Sequence, residues 1–430
     1  MGKPRIAVIG AGLGGTVAAA LLQRNGAEVT VYERAPGLSR NMDGVHLSPN
    51  AMKVMRRIGC ERELNEIGAR PNFWISRDAE SGQPIAQISL DGDARGTYGA
   101  AYLTMRRSDL HDVLAKAIAP GSIRYDKCLR SVEDVGSEVR MTFTDNSVET
   151  ADLLVAADGA ASRVRNGILD VPAPRYSGYV AHRWTLPASL LNRRPYDMCV
   201  KWCAHDRHLL IYNLTSARSE YHLVTRVPQE IWPDGITAMS NTRDEMREAF
   251  AEFHPNVLRL MEISPTLSAR PLLHQDPSAV WSCGRLVLIG NACHPMKSTP
   301  QATAMAIEDA AMLARCLNEA GVARHEHALA LYRANRVERT SKAQRLSRKN
   351  AWMRDSEDLS WFYGYDVFDA PLIHDHAHTT ADNDVVRYER KADTAGAIYR
   401  APDRHAAVPA GALAGLDAQI SPLEAYTGRP

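Results

Sequence analysis

The sequence predicts an α/β protein: a doubly wound, Rossmann-like domain, an inserted domain built mainly of antiparallel β-strands, and helices toward the C-terminus. Three observations lead there. The chain opens on a strand, a glycine turn, a helix, a second strand and a terminal acid within about thirty residues, the pattern of a dinucleotide-binding βαβ unit. Residues 175–281 then change texture to short alternating runs that hold most of the tryptophans. Finally, residues 285–290 restore a buried-strand pattern and 303–320 a helical one, which makes the first domain discontinuous.

Each element has a local reason. Arg5-Ile-Ala-Val-Ile9 is a short apolar strand, and Gly10, Gly12, Gly14 and Gly15 follow at once. Gly10 permits the tight turn, Gly12 lets a pyrophosphate approach the backbone, and Gly15 lets helix and strand pack closely. A helix over 17–22 then offers free N–H groups and a positive dipole to phosphate. The strand 28–32 ends at Glu33, whose carboxylate is placed to accept hydrogen bonds from ribose hydroxyls. A helix over 110–119 and strands over 139–143 and 153–156 come next, the last running into Ala157-Asp158-Gly159.

A long helix is expected over 326–349, with Arg333, Arg336, Arg339, Lys342, Arg345 and Arg348 at every third position, read as a solvated surface. Residues 370–430 are rich in Ala, Asp, His, Pro and Gly without periodicity and read as a wrapping arm or tail. Within them His374-Asp-His-Ala-His378 aligns three imidazoles if extended, but no cysteine accompanies it and no metal site is expected.

Composition narrows the function. With 51 Lys and Arg against 50 Asp and Glu the 430-residue chain carries a formal charge of +1, which argues against a nucleic-acid partner. Seven cysteines without a CxxC pair suit a reducing cytoplasm better than a disulfide framework. The uncharged stretch 6–22 resembles a signal peptide, yet glycines interrupt it and no small-residue cleavage site follows. At 17 residues it is marginal for a membrane span, so none is expected. Gly2 lacks a Ser or Thr at position 6, which excludes myristoylation.

The centre of the inserted domain shows a titratable face. If 197–203 and 208–212 form a hairpin through Ala204-His-Asp-Arg207, Cys203 faces His208 and Cys199 faces Tyr212. Alternation then groups Cys199, Lys201, Cys203, His208 and Tyr212 on one side and Val200, Trp202, Leu209 and Ile211 on the other. The second set suits a core.

Taken together, the glycine turn with Glu33 and Arg34, the Asp158-Gly159-Ala-Ala-Ser-Arg163 segment and Gly290-Asn291-Ala-Cys-His294-Pro295 resemble the single-component, FAD-dependent aromatic hydroxylases of the p-hydroxybenzoate hydroxylase fold. The resemblance covers most of residues 1–350 and extends into the inserted domain through Gly44-Val-His46-Leu-Ser-Pro-Asn50, Ala181-His-Arg183, Cys199-Val-Lys-Trp202 and Ala306-Ile-Glu-Asp-Ala-Ala-Met312. It implies an FAD-binding domain of the glutathione reductase type over 1–72, 99–174 and 282–325, a substrate domain over 73–98 and 175–281, a helical region over 326–369 and a tail over 370–430. It also implies FAD contacts from Gly10, Gly12, Gly14, Gly15, Glu33, Arg34, Arg107, the backbone of Leu129, Asp158, Asn291 and Ala302.

The chemistry the resemblance implies is hydroxylation of a small hydroxylated aromatic or pyridine carboxylate, with a hydroxynicotinate-like substrate. NAD(P)H, with NADH favoured, reduces FAD, and O2 then gives a C4a-hydroperoxyflavin whose distal oxygen attacks an electron-rich ring carbon. Deprotonating a ring hydroxyl supplies that electron density, a task assigned to His46 and Tyr212, with His208 and Cys199 positioning the substrate. Histidine suits the role because its ordinary pKa near 6.5 leaves much of it neutral at pH 7. Without the resemblance, His46 alone reads equally as a structural histidine, and Cys199 as a packing residue. Where the attacked carbon bears a carboxylate, loss of CO2 restores aromaticity. The expected protein is a cytoplasmic monomer or homodimer. Two alternatives are a salicylate, 4-hydroxybenzoate or biosynthetic phenol hydroxylase of the same fold, and a flavin-binding protein impaired in turnover.

The last alternative is motivated by two departures from the family pattern. Asn291 replaces an Asp, losing its charge, and Ala302 stands in a loop where the family has glycines. Alanine resists a positive φ, so altered FAD binding is expected there.

Overall fold

In the computed structural model of the chain, residues 2–38, 43–90, 93–169, 171–191, 198–233, 236, 238–296, 301–349 and 358–374 are described. A six-stranded sheet runs in the order Ser282–Cys283, Leu286–Leu288, Leu153–Ala156, Arg5–Ile9, Glu28–Tyr32 and Ile123–Arg124. Only the Ser282–Cys283 pairing is antiparallel. Leu153 to Ala156 are fully buried and Ile6 to Ile9 nearly so, the continuous apolar run of a strand covered on both faces. The helix between the first two strands spans Leu13–Arg24, longer than the sequence pattern alone showed, and it packs on the helix Gln301–Ala320.

The glycines divide their work as expected. Gly10 has φ +102°, and a Cβ there would stand 2.6 Å from the Ala157 carbonyl oxygen. A Cβ on Gly15 would collide with the Gly10 carbonyl, so the helix lies against the turn only because position 15 is bare. At Gly12 a Cβ would meet no protein atom within 4 Å. That glycine leaves room for something other than the chain.

A second, eight-stranded sheet has the order Met239–Asn241, Leu267–His274, Arg175–Pro187, Glu220–Pro228, His208–Asn213, Met198–Cys203, Phe73–Asp78 and Pro84–Ser89. The predicted hairpin is present, with Cys203 opposite His208 and Val200 opposite Ile211. Val200, Trp202, Leu209 and Ile211 join a separate core with Met246, Phe250, Val257 and Met261, contributed by the region of helices Arg243–Ala249 and Pro255–Glu262. Thr242 and Glu245 start the first of these helices with a reciprocal capping box. Burying this face on helices turns Lys201, His208, Leu210 and Tyr212 the other way, toward a cavity. A two-stranded ladder of Gly44–Leu47 and Leu103–Arg106 pairs His46 with Thr104 and completes the frame.

The long helix, His325–Lys349, corrects the reading of its cations as a solvated face. Arg336 is fully buried, whereas Lys342 and Arg345 are exposed. A spacing of three falls short of the 3.6-residue turn, so successive cations rotate around the helix and some must enter the interface. Arg336 and Arg339 do so because Glu308 and Asp309 on Gln301–Ala320 receive them. His374 is exposed, while the rest of the His374-to-His378 motif and the tail from 375 onward lie outside the described residues. None of the seven cysteines, all of them among the described residues, is in a disulfide, and no described helix is long and apolar enough to cross a membrane.

Candidate active site

A cavity of about 480 Å³ opens between the two sheets. One wall carries Gly12, Gly14, Gly159, Gly290, Asn291 and Ala302; the other carries His46, Arg107, Arg183, Lys201, His208 and Tyr212. Eight of the residues assigned a catalytic or FAD-contact role from the sequence therefore meet at one void. Gly10, Gly15, Glu33, Leu129 and Asp158 lie behind the first wall, Arg34 is exposed away from the lining, and Cys199 is fully buried outside it.

The first wall has the chemistry of a dinucleotide cradle. The helix Leu13–Arg24 begins at Gly12 with no side-chain cap, leaving its first N–H groups toward the void. Glu33 is held by the N–H groups of Ala11 at 2.8 Å and Ala35 at 2.9 Å. Asp158 accepts from the Arg163 N–H at 2.9 Å through one oxygen, while the other, Oδ1, is buried without a hydrogen bond. Burial pushes the Asp158 carboxyl up. Arg163 in turn donates to the Leu129 carbonyl at 2.8 Å, so that backbone oxygen already serves the protein. An orphaned carboxylate oxygen, an uncapped helix start and a bare Gly12 fit FAD, with Arg107 adding a cation on the opposite wall.

The expectation for Ala302 needs correction. It lies in the first turn of Gln301–Ala320 and is absent from the positive-φ residues, so alanine is unstrained there. The backbone conformation that would have demanded glycine does not occur at that position.

On the second wall His46 is 5% exposed and packs its ring on Tyr212, centroids 4.1 Å apart. Its Nδ1 shares a 2.9 Å hydrogen bond with the Tyr102 hydroxyl, and Nε2 is buried without a partner. Tyr102 in turn is hydrogen bonded to Tyr363, itself fully buried. Burial, then the nearby His222, pushes His46 down to about 3; burial and Arg183 do the same to His222. The ordinary histidine pKa expected for His46 is thus displaced, and the ring is fully neutral at pH 7. Burial and Cys199 raise the Tyr212 hydroxyl well above its usual range. Neither Tyr102 nor Tyr363 lies in a recognisable motif, and only the ladder pairing of 44–47 with 103–106 brings Tyr102 to His46.

These depressed histidines carry a stability consequence. In the unfolded chain both titrate near 6.5, but folded they bind a proton only near pH 3. Over that window the unfolded state holds more protons, so stability is present above about pH 6.5 and is lost as pH falls, by up to about 1.4 kcal/mol per unit per histidine. Urea midpoints should therefore drop from pH 7 to pH 5, and drop less in His222→Asn. Equal drops in both proteins would contradict the assignment.

Beneath the first wall lies a buried charge network. The Gly290 N–H donates to Asp309 at 2.8 Å, His294 meets the same oxygen at 2.5 Å, and Arg336 Nε donates to the other oxygen at 2.8 Å. Arg336 also donates to Glu308 at 2.6 Å, as does Asn50 at 2.6 Å, and Arg339 does so at 2.8 Å. Burial alone would raise Asp309, but His294 and Arg336 outweigh it and hold the carboxylate at about 2. The network ties the Gly290 turn to two helices and, through Asn50, to the helix Pro49–Ile58 that follows the His46 strand. It fixes the two walls against each other.

A doubly wound sheet with this cradle, joined to a titratable antiparallel sheet, defines a flavin-dependent oxidoreductase. The chain belongs to the FAD binding domain family, whose pattern matches residues 3–347, and it is an FAD-dependent aromatic-ring monooxygenase. It is 48% identical over 374 residues to 6-hydroxynicotinate 3-monooxygenase of Bordetella bronchiseptica, covering 86% of this chain and 98% of that one. It is 32% identical over 381 residues to 3-amino-4-hydroxybenzoate 2-monooxygenase of Streptomyces cremeus, covering 84% and 95%. Among solved structures, Klebsiella pneumoniae HpxO complexed with FAD and uric acid superposes with TM-score 0.71 at 25% identity, covering 83% of this chain and 90% of that one. A salicylate hydroxylase substrate complex shares the fold with TM-score 0.73 at 23% identity, over 85% and 96%.

Proposed function

We propose that the enzyme hydroxylates a small hydroxylated pyridine or benzene carboxylate, with 6-hydroxynicotinate as the model substrate, using NADH in preference to NADPH and releasing CO2 when the attacked carbon bears the carboxylate. The observation that carries this reading is His46, neutral, buried and with an unpartnered Nε2, packed on Tyr212 in the cavity that the dinucleotide motifs share. The similarity to 6-hydroxynicotinate 3-monooxygenases along nearly their whole length supports the substrate class.

Bound FAD, reduced by the nicotinamide nucleotide and reacted with O2, supplies the electrophilic oxygen. The chain's own residues prepare the ring to receive it. His46 Nε2 accepts the proton of the substrate hydroxyl, and Tyr102 at Nδ1 holds the imidazole in the orientation this requires. The burial that keeps His46 neutral also weakens it as a base; the negative charge of the ring carboxylate in the same enclosed cavity favours the imidazolium and offsets part of this. Tyr212, which lines the cavity, braces His46, while His208 and the sheet wall orient the ring. Cys199 packs behind this wall and has no direct part.

The test is NADH oxidation by the FAD-loaded enzyme across hydroxynicotinates, salicylate and 4-hydroxybenzoate, with CO2 and H2O2 measured. 6-Hydroxynicotinate should stimulate oxidation most and release one CO2 per NADH. Stimulation by another ring without CO2 would move the assignment to that substrate.

A further inference from the structure

Lys201 has no part in the chemistry above. Lys201 is 5% exposed yet lines the void, on Met198–Cys203 opposite Leu210. The neighbouring row holds His208, 6% exposed, lining the same void, with Nδ1 buried and making no hydrogen bond. Arg226 stands opposite His208 on the next strand, and burial, with Lys201 and Arg226 adding to it, keeps His208 neutral. Among the described residues the lining contains Arg107, Arg183, Lys201 and one carboxylate, Asp43, an excess of positive charge. A small anion is the chemistry this wall recognises.

The strand itself provides a ruler. Tyr212 lies two residues from the row of Leu210 and Lys201 and four from His208, which at roughly 3.4 Å per residue puts those rows about 7 Å and about 14 Å away. A six-membered ring whose hydroxyl meets His46 and Tyr212 reaches about one row with a para substituent. An ortho carboxylate would stay beside Tyr212.

We propose that Lys201, with His208 beside it, is the carboxylate-recognition point of the cavity and selects rings whose hydroxyl and carboxylate are para to each other. This rests on the reading of the cavity as the place of a hydroxylated ring carboxylate. The experiment measures dissociation constants from the perturbation of flavin absorbance in the FAD-loaded enzyme, with 6-hydroxynicotinate and its uncharged carboxamide as probes. The wild type should favour the carboxylate by about ten- to a hundredfold, the worth of one charge-assisted hydrogen bond. Lys201→Met should remove that preference by weakening the carboxylate alone, with the carboxamide unchanged within about threefold. Lys201→Gln carries the same comparison if Lys201→Met does not retain FAD. A preference that survives in the folded variant overturns the role of Lys201 and leaves the substrate class standing. Failure of the wild type to bind either probe overturns both.

Discussion

His46→Ala should lower substrate-dependent turnover by about a hundred- to ten-thousandfold, the range removed with a general base, while FAD content stays that of the wild type. The separation is expected because His46 belongs to the sheet wall of the cavity and touches Tyr212, Tyr102 and Trp74, none of them part of the dinucleotide cradle. Tyr212→Phe is the companion variant. It keeps the ring that packs at 4.1 Å on His46 and deletes only the hydroxyl, so a smaller loss, about tenfold or more, is expected. The two should not add, because both act on the same proton. Rapid-reaction measurements of ring hydroxylation check this, and unchanged turnover in both variants would place the base elsewhere.

Arg336→Met should destabilise the protein by about 3–5 kcal/mol, because Glu308 and Asp309 would remain as buried charges without their shared partner. Arg336 is fully enclosed, and its guanidinium is pushed up by those two carboxylates despite its burial. The loss should appear in FAD retention as well as in the denaturation midpoint, since Asp309 holds the Gly290 N–H in the turn that lines the cradle. Combining Arg336→Met with Glu308→Gln and Asp309→Asn should be milder than Arg336→Met alone, as it leaves no bare charge behind. A single-variant cost below about 1 kcal/mol would show that water reaches these carboxylates.

Much of this site was legible where the determinants are local. The glycine turn declares itself because Gly10 and Gly15 answer clashes within a few residues and with one neighbouring strand. The hairpin was legible because strict alternation separates Lys201, His208 and Tyr212 from Val200, Trp202, Leu209 and Ile211 over a short span. What stayed hidden depends on long-range pairing. Tyr102 reaches His46 across 56 residues, and Arg336 meets Asp309 across 27, with nothing in the local pattern to announce either. The cations of the long helix misled because an every-third spacing looks like a face on paper and winds around a real helix. Ala302 misled in the opposite way: a missing glycine signals strain only where the backbone turns left-handed, and there it is helical.

The central claim is that one cavity joins a flavin cradle to a base that recognises a hydroxylated ring carboxylate. Its most direct test is the rate at which NADH reduces the enzyme-bound flavin without oxygen, with and without 6-hydroxynicotinate. The account predicts a yellow, FAD-containing protein whose flavin bleaches at least about tenfold faster when the ring compound is present, because substrate and cofactor share the void. A protein that cannot be loaded with FAD, or a reduction rate indifferent to every hydroxylated ring carboxylate tried, would contradict it.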